Sequence, residues 1–111
     1  RFDLVHLGMG ADGHTASLFP ESAALAADPG RLVAMNDDPL GNNPHRRMTL
    51  TFAGIARASL ALVTVTGEAK APALAAIARG EDLPAARIAS ERIIWLVDEA
   101  AASLLEPADR P

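Results

Sequence analysis

Phe2–Leu7 reads as a strand, and the strand empties directly into Gly8-Met9-Gly10-Ala11-Asp12-Gly13-His14. A fold that accepts this order must place a glycine-rich loop at the carboxyl end of a buried strand. In open α/β sheets that is the position where ligands bind. Glycine lets backbone groups approach a ligand or another side chain closely, and a histidine two residues after an aspartate is a group able to take up a proton near neutral pH. Pro20 restricts the segment after the loop: Thr15–Phe19 has room for no more than a short helical turn.

Downstream, segments of strand and helix character alternate. Ser22–Ala27 reads as a short helix and Arg31–Met35 as a strand. Asn36–Pro39 and Leu40–His45, rich in Asn, Asp, Gly and Pro, read as loop. Thr49 or Thr51 is placed to cap a helix reaching Ser59. Leu60–Thr66 is the clearest strand, with Val63, Thr64, Val65 and Thr66 among leucines. Glu68–Arg79 reads as an alanine-rich helix with Pro72 in its first turn and Gly80 as its stop. Glu81–Ala85 is a turn, Ala86–Ala89 an extended link and Arg92–Val97 a strand of the apolar kind found in parallel sheets. Asp98 is placed to cap a last helix over Glu99–Leu105, closed by Pro107. The alternation implies a mostly parallel sheet flanked by helices.

With 111 residues, the chain is one domain or part of one, and with half its residues apolar it can form a packed core. A net charge of −4 argues against a nucleic-acid surface, and Arg46-Arg47 is the only adjacent basic pair. Without cysteine there is no thiolate nucleophile and no disulfide framework. The longest apolar runs, Leu60–Val65 and Ile93–Val97, are too short to span a bilayer, so the expectation is a soluble, cytoplasmic protein without a membrane partner. The first strand needs neighbours on both sides, which suggests the C-terminal portion of a larger α/β domain.

Gly8-x-Gly10-x-x-Gly13 matches the dinucleotide fingerprint, with Asp37 downstream. Two points speak against that reading. The fingerprint must open a full helix onto a pyrophosphate, which Pro20 prevents, and Asp12 would set a negative charge beside the phosphates. His6, His14 and His45 lack metal-ligand spacing, and no serine sits in a nucleophile elbow. His14 is the candidate proton carrier. Asp12 either caps the following turn or orients His14, and the residues leave both readings open. His6, inside a strand, reads as a satisfied core histidine. Arg47 and Lys70 are the cations best placed for an anion, Lys70 because it lies in the first turn of a helix that follows a strand.

These residues occur in a familiar arrangement. Leu7–Pro20, Arg47-Met48-Thr49-Leu50-Thr51, Val65–Lys70, Leu83-Pro84-Ala85 and Trp95–Ala101 together resemble the signature of the 6-phosphogluconolactonases. The resemblance implies a three-layer, Rossmann-like α/β fold shared with glucosamine-6-phosphate deaminases and ribose-5-phosphate isomerases, present here only in part. The family's Gly-Gly-Ser/Thr phosphate loop belongs to an N-terminal half that this chain does not contain. The implied reaction is hydrolysis of 6-phosphoglucono-1,5-lactone, a small sugar-phosphate partner, without metal or cofactor. His14 then matches the general base, Asp12 the acid beside it, and Arg47 and Lys70 the phosphate grip. Backbone N–H groups of Gly8, Gly10 and Gly13 are expected to face the substrate and its developing oxyanion.

Two other functions fit part of the pattern. A deaminase of glucosamine 6-phosphate carries a similar Asp-Gly-His but continues into a segment with an added carboxylate, where this chain has Ser17-Leu18-Phe19-Pro20. A sugar-phosphate sensor domain would have no need of Asp12 and His14 together.

Overall fold

Residues 1–109 are described by a computed structural model. In chain order they form β1 (Phe2–Leu7), β2 (Val33–Asn36), β3 (Arg47–Leu50), α1 (Phe52–Ile55), β4 (Ala58–Val65), α2 (Ala71–Ala78) and β5 (Arg92–Val97). Single 3₁₀ turns lie at Ala23–Ala26, Glu68–Lys70, Pro84–Arg87 and Pro107–Asp109.

β4 lies between β1 and β5 in a parallel sheet, with Leu4 opposite Leu60, His6 opposite Leu62, Leu62 opposite Ile94 and Val63 opposite Trp95. Side chains alternate across the sheet. Val5, Leu7, Ala61, Val63, Val65, Trp95 and Val97 join one core with Ala73, Leu74 and Ile77 of α2, together with Met9, Leu18, Ile55 and Ile88 from the connections. The opposite face carries Phe2, Leu4, Ile94 and Leu96, all exposed. Of the three layers expected, these residues contain the sheet and one covering layer. His6 falls on the bare face, and the core position expected for it is not observed. It is satisfied nonetheless, by a 2.8 Å hydrogen bond between Nε2 and Thr64 Oγ1 on the neighbouring strand.

α2 ends as its sequence suggests. Gly80 takes φ +91°, its N–H reaches the Ile77 carbonyl and the N–H of Glu81 reaches that of Ala76, which is a Schellman closure. Its start is split: Glu68–Lys70 is a 3₁₀ turn, and the α-helix begins at Ala71 with Pro72 in the first turn.

Four expectations are corrected. Of the two caps expected, Thr51 is observed and Thr49 is not, because Thr49 lies in a strand, Arg47–Leu50. It pairs antiparallel with β2, Asn36 opposite Arg47 and Val33 opposite Leu50, and forms a separate two-stranded sheet. The helix after it is a single turn, because Ala58 and Ser59 already belong to β4. Glu99–Leu105 forms successive turns instead of a helix. Asp98 does cap them, its side chain accepting the Ala101 N–H at 2.8 Å and its carbonyl the Ala102 N–H at 3.1 Å, but after this single i to i+4 bond the pattern runs i to i+3, from Ser103 to Ala100 and from Leu105 to Ala102. A segment this short cannot repay helix nucleation alone, and Pro107 halts propagation. Within the supposed extended link, Ala86 and Arg87 instead complete a 3₁₀ turn from Pro84.

Thr51 is the joint between β3 and α1. Its hydroxyl donates to the Arg31 carbonyl at 2.6 Å and accepts the Gly54 N–H at 3.1 Å, with the residue 1 % exposed. Gly54 has no room for a side chain, since a Cβ there would lie 2.3 Å from the Leu32 carbonyl oxygen. Thr51→Val keeps the shape, strands the buried Gly54 N–H and removes the donor to the Arg31 carbonyl, so it should cost about 1–3 kcal/mol in urea unfolding. A loss below about 0.3 kcal/mol would show that the cap does not hold this joint.

Candidate active site

The loop after β1 is closed by its own backbone. Gly10 N–H donates to the His14 carbonyl and Gly13 N–H to the Gly10 carbonyl, each at 2.9 Å, while Thr15 Oγ1 donates to the Gly8 carbonyl at 2.8 Å. The turn brings Asp12 and His14 together. Asp12 Oδ1 accepts the His14 backbone N–H at 3.0 Å and lies 2.6 Å from His14 Nδ1. Capping the turn and orienting the ring, two readings left open by the residues, are therefore performed by one oxygen.

Gly10 makes this geometry possible. A Cβ at position 10 would lie 2.2 Å from both Nδ1 and Cε1 of the imidazole. Gly13 has φ +87°, and a Cβ there would meet Leu83 at 2.8 Å. The glycines serve packing and backbone shape. The expectation that the N–H groups of Gly10 and Gly13 face a ligand is not met, because both are spent inside the loop. Gly8 is exposed, with open space where its side chain would be.

Gly8, Met9, Gly10, His14, Ala16 and Lys70 line a cleft of about 310 Å³. Lys70 reaches it from the β4–α2 connection, and its ammonium donates to the Met9 carbonyl oxygen. An ammonium has three donors, so two remain for an anion. Arg47, the first residue of β3, does not line this cleft. It is linked to it through Phe19, which is fully buried. The ring centroid of Phe19 lies 5.2 Å from the His14 ring, edge-on, and 5.5 Å from the Arg47 guanidinium carbon. Imidazole, ammonium and guanidinium thus gather around one loop, the last of them beyond an aromatic wall.

The sequence alone does not mark Phe19 and Asn43 as functional. Phe19 reads there as an ordinary apolar residue ahead of Pro20, and Asn43 as turn composition. Asn43 Nδ2 donates to Asp12 Oδ2 at 3.1 Å across 31 residues of chain, which no local pattern signals.

Burial pushes the Asp12 carboxyl upward in pKa. The hydrogen bonds from the His14 backbone and ring, its charge, and the Asn43 amide outweigh burial, and the net position is below the ordinary carboxylate value. The second ring nitrogen, Nε2, has no hydrogen-bond partner among the described residues. Asp12 accepts from Nδ1–H, so the neutral ring presents a lone pair at Nε2. Among the described residues, no three His, Asp or Glu side chains converge as a metal site, and no helix is long and apolar enough to cross a membrane.

This geometry has two measurable consequences. Gly10→Ala should displace the imidazole and break its contact with Asp12, visible as a change in the His14 ring resonances by NMR; an unchanged spectrum would refute the crowding. A carboxyl whose folded pKa lies below its unfolded value stabilises the fold above the unfolded pKa and loses that contribution as pH falls through the folded one. The stability gap between the natural chain and Asp12→Asn should therefore be widest near neutrality and close below about pH 4. Urea unfolding at several pH values measures it, and a gap independent of pH would contradict the assignment.

Residues 1–95 match the family model for glucosamine-6-phosphate isomerases/6-phosphogluconolactonase. A 6-phosphogluconolactonase of Mycobacterium tuberculosis is 41% identical over 109 residues, covering 95% of this chain and 43% of that protein. The human 6-phosphogluconolactonase is 38% identical over 109 residues, covering 94% of this chain and 42% of its own length. The chain therefore spans less than half the length of these relatives. Among solved structures, a 6-phosphogluconolactonase from Trypanosoma brucei superposes with a TM-score of 0.80 at 33% identity, over 95% of this chain and 43% of that one. A monomeric glucosamine-6-phosphate deaminase, at 23% identity and a TM-score of 0.66 over 92% of this chain and 47% of that one, shares the fold. With residues 1–95 matched by that family model, this chain belongs to the glucosamine-6-phosphate isomerase/6-phosphogluconolactonase family.

Proposed function

We propose that this chain is the part of a 6-phosphogluconolactonase that carries the proton-transfer group, and that it acts on 6-phosphoglucono-1,5-lactone. The reading rests on one observation above all: an imidazole held by a carboxylate at 2.6 Å, its other nitrogen unpartnered, on the wall of a cleft that also holds an ammonium group.

In this reading the His14 Nε2 lone pair takes a proton from water as the oxygen adds to the lactone carbonyl carbon. Asp12, ionised, stabilises the imidazolium that forms. The tetrahedral adduct then collapses with cleavage of the bond between the carbonyl carbon and the ring oxygen. The imidazolium returns its proton to that oxygen, which leaves as a hydroxyl, and the product is the open-chain acid. Lys70 and Arg47 supply the positive charge that holds the substrate phosphate and keeps the carbonyl in register. With Gly10 and Gly13 N–H groups closed within the loop, they are not the oxyanion donors.

The cleft lining also favours hydrolysis over the deaminase reading. Among the described residues no carboxylate lines the cleft, and Phe19 of the Ser17–Pro20 segment is buried against His14 and Arg47. The further acid that a sugar-opening deaminase needs is not supplied by this loop.

The test is lactone hydrolysis by the complete protein, with acid release followed above the uncatalysed rate. His14→Ala should lower kcat by roughly 10²–10⁴-fold. Lys70→Ala and Arg47→Ala should raise KM at least as much as they lower kcat. Activity of His14→Ala within threefold of the parent would exclude His14 as the base. Ammonia release from glucosamine 6-phosphate without lactone hydrolysis would overturn the proposal.

A further inference from the structure

We infer that Asn43, in the connection between β2 and β3, is a positioning residue for His14, acting by holding the free oxygen of the carboxylate that orients the imidazole. The inference deepens the proposed function and rests on His14 being the base. Asn43 Nδ2 lies 3.1 Å from Asp12 Oδ2 and 2.9 Å from Asp38 Oδ2, and its backbone N–H donates to the same Asp38 oxygen at 2.9 Å. Asp38 is itself fixed, because its other oxygen accepts the Leu40 N–H at 2.9 Å.

Chemistry decides how the amide lies. Two ionised carboxylates are acceptors only, so the edge of Asn43 between them must be the NH₂ group, one hydrogen for each. Turned over, the amide would set its own oxygen against two negative charges. Asp38 alone would satisfy the needs of the connection in which Asn43 sits. The bond to Asp12, across 31 residues, is not required by that turn.

Its effect falls on the neighbouring ring. Asp12 Oδ1 serves both the backbone N–H and Nδ1 of His14, and Oδ2 has Asn43 as its hydrogen-bond partner. The torsion about a carboxylate is broad. With Oδ2 released, the group turns and Oδ1 leaves the plane of the imidazole. The ring then loses the acceptor that keeps its proton on Nδ1 and its lone pair on Nε2. Asn43 thus links the β2–β3 connection to the tautomer of the base.

The experiment compares the complete protein with Asn43→Leu, which matches the amide in size and cannot donate. Ring ¹⁵N shifts of His14 report the tautomer, and lactone hydrolysis reports kcat and KM. In the parent, Nδ1 is expected to be protonated and Nε2 bare. In Asn43→Leu the two nitrogens should move toward averaged shifts, with kcat falling about tenfold and KM within about twofold. If circular dichroism shows that Asn43→Leu does not fold, Asn43→Asp replaces it and should alter the shifts in the same sense. Parent-like ¹⁵N shifts in a folded variant would overturn the inference, whatever the activity. Altered shifts in a protein that hydrolyses no lactone would uphold the positioning role while removing the lactonase reading.

Discussion

A buried side-chain amide, that of Asn36, holds the segment that follows the His14 loop to the rest of the molecule. At 3 % exposure it uses every hydrogen-bonding group it has. Nδ2 donates to the Ser17 carbonyl at 2.8 Å and to Ser22 Oγ at 2.9 Å, and Oδ1 accepts the Ala24 N–H at 3.1 Å. Ser17 in turn donates its N–H to Thr49 Oγ1 on β3 at 3.0 Å. The irregular chain from Ser17 to Ala24, which has no ladder of its own, thereby acquires the rigidity of the β2–β3 pair. A buried amide left half satisfied is costly, whereas one fully satisfied specifies a single arrangement. Phe19 lies inside this wired segment, so the wall between His14 and Arg47 is fixed by the same network.

The division of labour between the two sheets has its origin in this network. The parallel sheet supplies depth: β1 delivers Gly8 at its carboxyl end, and β4 delivers Lys70 by way of the next connection. The antiparallel pair supplies lateral hold, gripping the Ser17–Ala24 segment through Asn36 and Thr49 and presenting Arg47 at the start of β3. Neither sheet alone brings both cations to the imidazole. The Asp12–His14 pair itself is local, formed by residues two apart, and its distances depend on the absence of a side chain at Gly10 more than on either sheet.

What can be read from the sequence divides along the same line. β4 and β5 announce themselves because strands of a parallel sheet are nearly continuous apolar runs, β1 because it empties into a glycine-rich loop, and the Asp12–His14 relation is visible because it is local. β3 is hidden by an inverted pattern. In the β2–β3 pair the inward residues include Asn36 and Thr49, both buried, while Val33, Met35 and Met48 face outward and are exposed. A rule that assigns apolar residues to the interior puts the wrong face of such a pair inward; β2 is still read as a strand from the apolar run Leu32–Met35, whereas Arg47–Leu50 offers no such run. The inversion has a physical cause, since the inward positions are spent on wiring a loop instead of filling a core. Asn36 and Asn43 are illegible for a related reason: an asparagine written among Asp, Gly and Pro looks like turn composition, and its long-range partner is fixed only by the fold.

The bare face of the parallel sheet separates two requirements that an enzyme of this family must meet. Parallel sheets are ordinarily covered on both faces, and Phe2, Leu4, Ile94 and Leu96 leave one face apolar and exposed here. The supports of the imidazole, namely Asp12, Asn43, Phe19 and the gap at Gly10, are all drawn from the chain itself and none lies on that face. The placement of the imidazole is therefore self-contained in these residues. The grip on a sugar phosphate that the proposed function requires is less so, because Lys70 and Arg47 approach from different sheets and, of the two, only Lys70 lines the cleft of His14. Holding a doubly charged phosphate with two cations so placed needs a wall that fixes the ligand between them, and burial of the apolar face and completion of that wall are tasks one further layer of structure can perform together.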